Sequence, residues 1–168
     1  MSGQGRGRLV VEASLLHLVA AAALGGAWWA LAPQLAYTVV GEQAFVLDDV
    51  ASRDVFDGDA IFAVLGVLAG LLCASVLLAR GYRGAVVPVV LATGGALGSV
   101  IAWFLAVQLG PGRLDDLVAA AGEGEIVAGP ELNSYATMLV WPIVAVGVVL
   151  VVTALSAPER TRRRPSPA

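Results

Sequence analysis

Four stretches of this chain, 9–31, 60–79, 85–109 and 136–157, each run for 20 residues or more with Glu12 as the sole acid and no arginine among them. A bilayer core about 30 Å thick is crossed by roughly 20 apolar residues in a helix rising about 1.5 Å per residue. The stretches therefore predict four membrane spans, each a helix because an isolated span in lipid must satisfy its own backbone hydrogen bonds. The chain reads as an all-α integral membrane protein, a four-helix transmembrane bundle at 9–157 with an N-terminal tail at 1–8 and a basic tail at 158–168. Composition agrees, since 58% of the 168 residues are hydrophobic and 14% charged, a balance that belongs to membrane proteins rather than to water-soluble domains.

The basic residues are ten arginines, and their placement gives a direction. Arg6 and Arg8 precede the first span, Arg80 and Arg83 lie in the short turn after the second, and Arg160, Arg162, Arg163 and Arg164 follow the fourth. Basic residues collect on the cytoplasmic side, so the expected location is the cytoplasmic (plasma) membrane with both termini in the cytoplasm. The two remaining loops, 32–59 and 110–135, are acidic: Glu42, Asp48, Asp49, Asp54, Asp57, Asp59, Asp115, Asp116, Glu123, Glu125 and Glu131 face only Arg53 and Arg113. These are the extracytoplasmic loops. Arg6, Arg8 and the sequence Ala30-Leu31-Ala32 imitate a cleavable secretory signal, but the apolar stretch is long for one and Pro33 follows the would-be cut; the expectation is a retained anchor.

Trp28 and Trp29 at the outer end of the first span, Tyr37 beyond it, and Tyr135 and Trp141 at the outer start of the fourth fit an interfacial aromatic belt. The first outer loop places Tyr37–Val40 and Ala44–Leu47 on either side of Gly41-Glu42-Gln43, a hairpin pattern. The second offers a short helix at Leu114–Ala121 and an apolar run at Ile126–Ala128. Neither loop is large enough for its own core, so the pattern admits a small β-containing cap in which the loops fold against each other and the helix ends.

Lipid tails are as apolar as leucine, so membrane helices associate where small residues let them approach. Gly66, Gly70 and Ala74 recur every four residues in the second span, and Gly94, Gly98, Ala102 and Ala106 do so in the third. The short turn from Arg80 to Gly84 makes these spans an antiparallel hairpin, and the two ladders are expected to face each other. Ala22, Gly26 and Ala30 form a shorter ladder in the first span. Pro88 falls in the first turn of the third span, where a missing amide hydrogen leaves nothing further unsatisfied. Pro142 lies deeper, directly after Trp141, and is expected to kink the fourth helix near its outer end.

Ionisable groups inside a span default to functional hypotheses, and here they are Glu12 and His17. Glu12, near the cytoplasmic end, is placed to pair with Arg8 one turn earlier, and a neutral His17 bonded to another helix is the structural expectation. A proton or cation relay is the competing reading, although five residues put the two about 140° apart on a helix. Asp54, Asp57 and Asp59 crowd the start of the second span; acids there cap a helix more readily than they build a calcium loop, and the EF-hand spacing is absent. The lone cysteine, Cys73, lies in an apolar run and excludes an intramolecular disulfide and a CxxC metal site. No Gly-rich phosphate loop, GxSxG or HExxH motif appears. No catalytic, cofactor-binding or metal-ligating set follows, and the basic tail suits anionic lipid headgroups rather than nucleic acid.

Several passages resemble a family of uncharacterised small four-span membrane proteins of high-GC Gram-positive bacteria, grouped as a domain of unknown function. They are Gly25-Gly26-Ala27-Trp28-Trp29 with Leu31-Ala32-Pro33, Asp57-Gly58-Asp59-Ala60-Ile61-Phe62, Gly98 to Gly112, and Gly129-Pro130-Glu131-Leu132 leading to Leu139-Val140-Trp141-Pro142. The resemblance implies the same architecture and brings no activity with it. The expected role is a non-enzymatic accessory protein whose partners are the lipid bilayer and either an envelope protein or a second copy of the chain. The alternative is a small transporter or permease subunit with a polar path through Glu12, His17, Ser75, Thr93 and Ser99.

Overall fold

A computed structural model describes residues 3–33, 35–40, 43–46, 51–110, 114–121, 124–128 and 132–156; the basic tail lies outside them. In chain order the elements are α1 (Gly3–Leu31), β1 (Leu35–Val40), β2 (Gln43–Val46), α2 (Ala51–Ala79), α3 (Val86–Leu109), α4 (Leu114–Ala121), β3 (Gly124–Ala128), a 3-10 helix (Tyr135–Leu139) and α5 (Val140–Ser156). Among the described residues, four segments are long and apolar enough to cross a membrane: Gly5–Leu31, Phe56–Ala79, Val86–Leu109 and Tyr135–Ser156. Their side chains are arranged for lipid. Leu15, Val19, Leu68, Leu97, Phe104, Ile143 and Leu150 are exposed, whereas Ala13, Ala21, Cys73, Ala74, Ala102, Ala106 and Ala145 fill the interior. An apolar exterior of this extent is stable in hydrocarbon and not in water, and the small interior residues let the helices pack closely.

Around the bundle the order is α1, α3, α5, α2, with α2 closing back on α1. The close approaches give the directions. A Cβ at Gly25 would meet Ala102 and one at Gly94 would meet His17, an equal step of eight residues along α1 and α3, so these two run parallel. Gly66 and Gly70 of α2 step along Trp141 and Val144 of α5 in the same sense. Gly95 meets Pro142 while Gly98 meets Trp141, so α3 and α5 run antiparallel.

This order corrects the expected pairing of the two ladders. Gly66, Gly70, Gly94, Gly98 and Ala102 all lie at helix contacts, but α2 and α3 sit across the bundle from each other, and their small residues receive α5 and α1 instead. The turn between α2 and α3 uses two glycines with positive φ, Gly81 at 81° and Gly84 at 104°, where a side chain would be strained. The ladder in the first span is displaced too. Ala22 and Ala30 are exposed and a Cβ at Gly26 meets nothing, while the neighbouring Gly25 makes the contact.

At the far end, the cap is a three-stranded antiparallel sheet in the order β2-β1-β3. β1 pairs with β2 from Tyr37↔Val46 to Val40↔Gln43 and with β3 from Leu35↔Ala128 to Val39↔Gly124. One strand of the sheet thus comes from the second loop, and α4 covers the residues expected to be helical, Leu114–Ala121.

Two features of the helix ends differ from expectation. α2 begins at Ala51, so Asp57 and Asp59 lie beyond the first turn, where the helix dipole no longer acts on them. Pro142 is the third residue of α5, entered from the 3-10 helix; first-turn amides have no partner within their helix, so its ring fits there without breaking the helix.

Candidate functional site: two polar clusters inside the bundle

The first cluster ties the start of α1 to the turn between α2 and α3. Arg8 Nε donates to Glu12 Oε1 at 2.7 Å, as the one-turn spacing implies. Arg80 Nη1 and the Tyr82 hydroxyl both donate to Oε2, at 2.9 and 3.0 Å. Glu12 is thus held by three donors from two parts of the chain. Desolvation, and then the Glu12 carboxylate that accepts its proton, push the Tyr82 phenol above its ordinary value. Arg80 and Tyr82 are 68 and 70 residues from Glu12, and only their position at the same membrane level was visible in sequence.

The second cluster lies at the centre of the bundle. Trp141 is fully buried, with its ring across Gly95 and Gly98 of α3 and its backbone against Gly70 of α2. His17 stacks on it from α1, ring centroids 5.6 Å apart and 11° from parallel. The Cys73 thiol adjoins the same indole. His17 Nδ1 lies 2.7 Å from the Ala13 carbonyl oxygen, which accepts its proton and leaves Nε2 as an acceptor. His17 is therefore bonded within its own helix rather than to another, and its contact with α5 is through the ring face. His17 Nε2, Ser99 Oγ and Trp141 Nε1 are buried with no hydrogen-bond partner among the described residues. They supply an acceptor, a hydroxyl and a donor from three helices, and the Cys73 thiol lies beside the last of them. Glu12 takes no part in it.

Of the three tryptophans expected in an outer belt, Trp28 and Trp141 are interior. Trp28 is fully buried, donates from Nε1 to the Gly58 carbonyl at 2.8 Å, and stands edge-on to Phe62 with centroids 5.1 Å apart. The belt that fits expectation consists of Trp29, which is exposed, and of exposed Tyr135 set edge-on to Trp103. The signal for Trp28 was present in sequence: Leu9, Ala13, His17, Ala20, Leu24 and Trp28 form one inward stripe at helical spacing.

Asp59 also serves differently from expectation. Its two carboxylate oxygens accept the backbone amides of Asn133 and Ser134, each at 2.9 Å. Ser134 begins the 3-10 helix and makes no capping bond with its own side chain, so Asp59 caps that element from α2. The Asp54 side chain is outside the described residues. No group of three or more His, Cys, Asp or Glu residues suited to a metal occurs among those described. Of the other polar residues considered for a path, Thr93 bonds back to the Val89 carbonyl and Ser75 is exposed.

Four apolar helices packed through small residues, with large apolar side chains turned outward and a sheet at one end, define a multi-pass membrane protein. No family model, curated protein or solved structure matches the chain.

Proposed function

We propose that the chain is a non-enzymatic accessory protein of the cytoplasmic membrane, with both termini in the cytoplasm and a folded outer cap that binds another envelope protein. The observation that carries this reading is the convergence of both acidic loops on one sheet, which meets α2 through β1, while Asp59 ties the segment after β3 to α2. A cap held this way is a fixed platform, and sheets commonly recognise partners through their edges and faces. The filled bundle axis supports it as well, since the Trp141 indole occupies the space that a polar path needs. The arginine placement supports the orientation.

The test is purification of the tagged chain from its native membrane in mild detergent, beside Thr38→Pro, which removes an amide from the central strand. A partner in stoichiometric amount with the wild type and lost from the variant is the expected result. Retention of that partner by Thr38→Pro, or recovery of the chain alone, overturns the reading.

A small transporter or permease subunit is the second reading, favoured by the three unpartnered polar atoms at the centre of the bundle. Uptake into proteoliposomes that falls in both Glu12→Gln and His17→Ala supports it. Uptake unchanged in both removes it.

A further inference from the structure

The seam between α1 and α2 is not fully closed. At the end that carries the first polar cluster, a cavity of about 460 Å³ is lined by Gly5, Arg8, Glu12, Arg80 and Tyr82. It shares Glu12 and Arg80 with a slot of about 280 Å³ whose other walls are apolar, Leu15, Leu16 and Val19 from α1 and Val76 and Leu77 from α2. A further apolar slot of about 240 Å³ follows along the same two helices, from Ala20 to Ala27 and from Leu72 to Leu65. A charged mouth therefore leads into an apolar furrow that opens sideways, where hydrocarbon lies.

The mouth is cationic on balance. Two guanidinium groups share one carboxylate, Arg8 using Nε and Arg80 using Nη1. Arg8 and Arg80 are 76% and 56% exposed at the side chain, and each keeps further N–H donors. Glu12 fixes their positions, so an anion meets donors already in place, and guanidinium pairs well with phosphate oxygens. The furrow is longer than one acyl chain needs. Glu12 to Ala27 is fifteen residues, about 22 Å of helix, whereas a chain in one leaflet reaches about 15 Å from its headgroup. The slots of about 280 and 240 Å³ follow one another along α1 and α2, so one chain can lie in both.

We propose that this furrow binds one anionic phospholipid of the bilayer, its phosphate at Arg8 and Arg80 and one acyl chain along Leu15, Val19 and Val76. The site requires the membrane-spanning bundle alone and holds whichever way the bundle faces. The lipid would fasten α1 to α2 where their own side chains leave a gap.

The test is native mass spectrometry of the detergent-purified full chain, offered phosphatidylglycerol, phosphatidylcholine of the same chain length, or inorganic phosphate. One phosphatidylglycerol per chain is expected, retained at least tenfold better than phosphatidylcholine and not displaced by millimolar phosphate. Arg8→Gln with Arg80→Gln should lower that retention at least tenfold. Val76→Phe, which fills the slot and leaves the Glu12 contacts intact, should lower it comparably. Equal retention of the two lipids overturns the proposal, as does unchanged retention in Val76→Phe. Displacement by phosphate also overturns it, showing an anion site without a lipid.

Discussion

Gly25 and Gly26 are neighbours in one helix, yet the packing assigns opposite outcomes to the same substitution. A Cβ at Gly25 comes 2.5 Å from the Ala102 carbonyl oxygen and 3.2 Å from its Cα, whereas one at Gly26 meets nothing within 4 Å. Ordinary contact begins near 3.4 Å, so Gly25→Ala drives α1 and α3 apart by roughly 0.9 Å at that point. The obstacle is backbone and cannot rotate away. A gap of that size forfeits a quarter to a half of each dispersion contact it opens, at about 0.1–0.2 kcal/mol per atom pair; overpacking of this kind costs about 1–3 kcal/mol. Alanine recovers about 1 kcal/mol through its better helix propensity, which leaves a net loss of up to about 2 kcal/mol. Gly26→Ala keeps the propensity term alone. For a chain of this size 1 kcal/mol corresponds to roughly 2–4 °C in melting temperature. Thermal unfolding in mild detergent should place Gly25→Ala up to about 8 °C below the wild type and Gly26→Ala at or slightly above it. Equal melting of the two variants, or a lower value for Gly26→Ala, refutes the packing of α1 on α3.

Other changes follow from the same contacts. Trp28→Phe loses the hydrogen bond to the Gly58 carbonyl, which keeps its bond within α2, so it should cost about 0.5–1.5 kcal/mol, while Trp29→Phe, at an exposed position, should melt within 1 °C or so of the wild type. Asp59→Ala removes the cap from Asn133 and Ser134; loss of a cap costs about 1 kcal/mol, and these two amides should exchange faster with deuterium while those of α1 do not change. Tyr82 sets a pH dependence. Its phenol lies above the ordinary value of 10.0 in the folded chain, so its contribution is complete below that pH and is lost as pH rises through the higher folded value. The melting advantage of wild type over Tyr82→Phe should therefore be constant through neutral pH and vanish in strong alkali; an advantage that grows with pH contradicts the hydrogen bond to Glu12.

Hydropathy located the four spans because burial in lipid needs only length and the absence of charge. It placed the start of the second span near Ala60, whereas the helix begins at Ala51: hydropathy reports where a helix enters lipid, not where it begins. The β1–β2 hairpin and α4 were legible from local pattern alone, whereas β3 showed only as a short apolar run. Partner choice was not. A glycine ladder marks a surface that can be approached closely, and the same small residues accept an indole, an imidazole or another backbone, so nothing in Gly66 or Gly98 named α5 as the neighbour. Trp28 and Trp141 were read as a belt from their height along the helix, but burial depends on the angle around it. Glu12 was half legible. Arg8 is a local pair, while Arg80 and Tyr82 reach it only because α2 returns beside α1.

The most direct test of the proposed arrangement, four spans with the cap outside and the arginine turn within, is accessibility to a membrane-impermeant maleimide in intact cells. Cys73 is buried, so the native background is expected to be low. Asp116→Cys in α4 and Arg83→Cys in the α2–α3 turn place thiols at exposed positions on opposite ends of the bundle. The account predicts labelling of Asp116→Cys in intact cells and of Arg83→Cys only after lysis. Labelling of both, or of neither, in intact cells contradicts a bundle that crosses the membrane, and the reverse pattern contradicts the orientation.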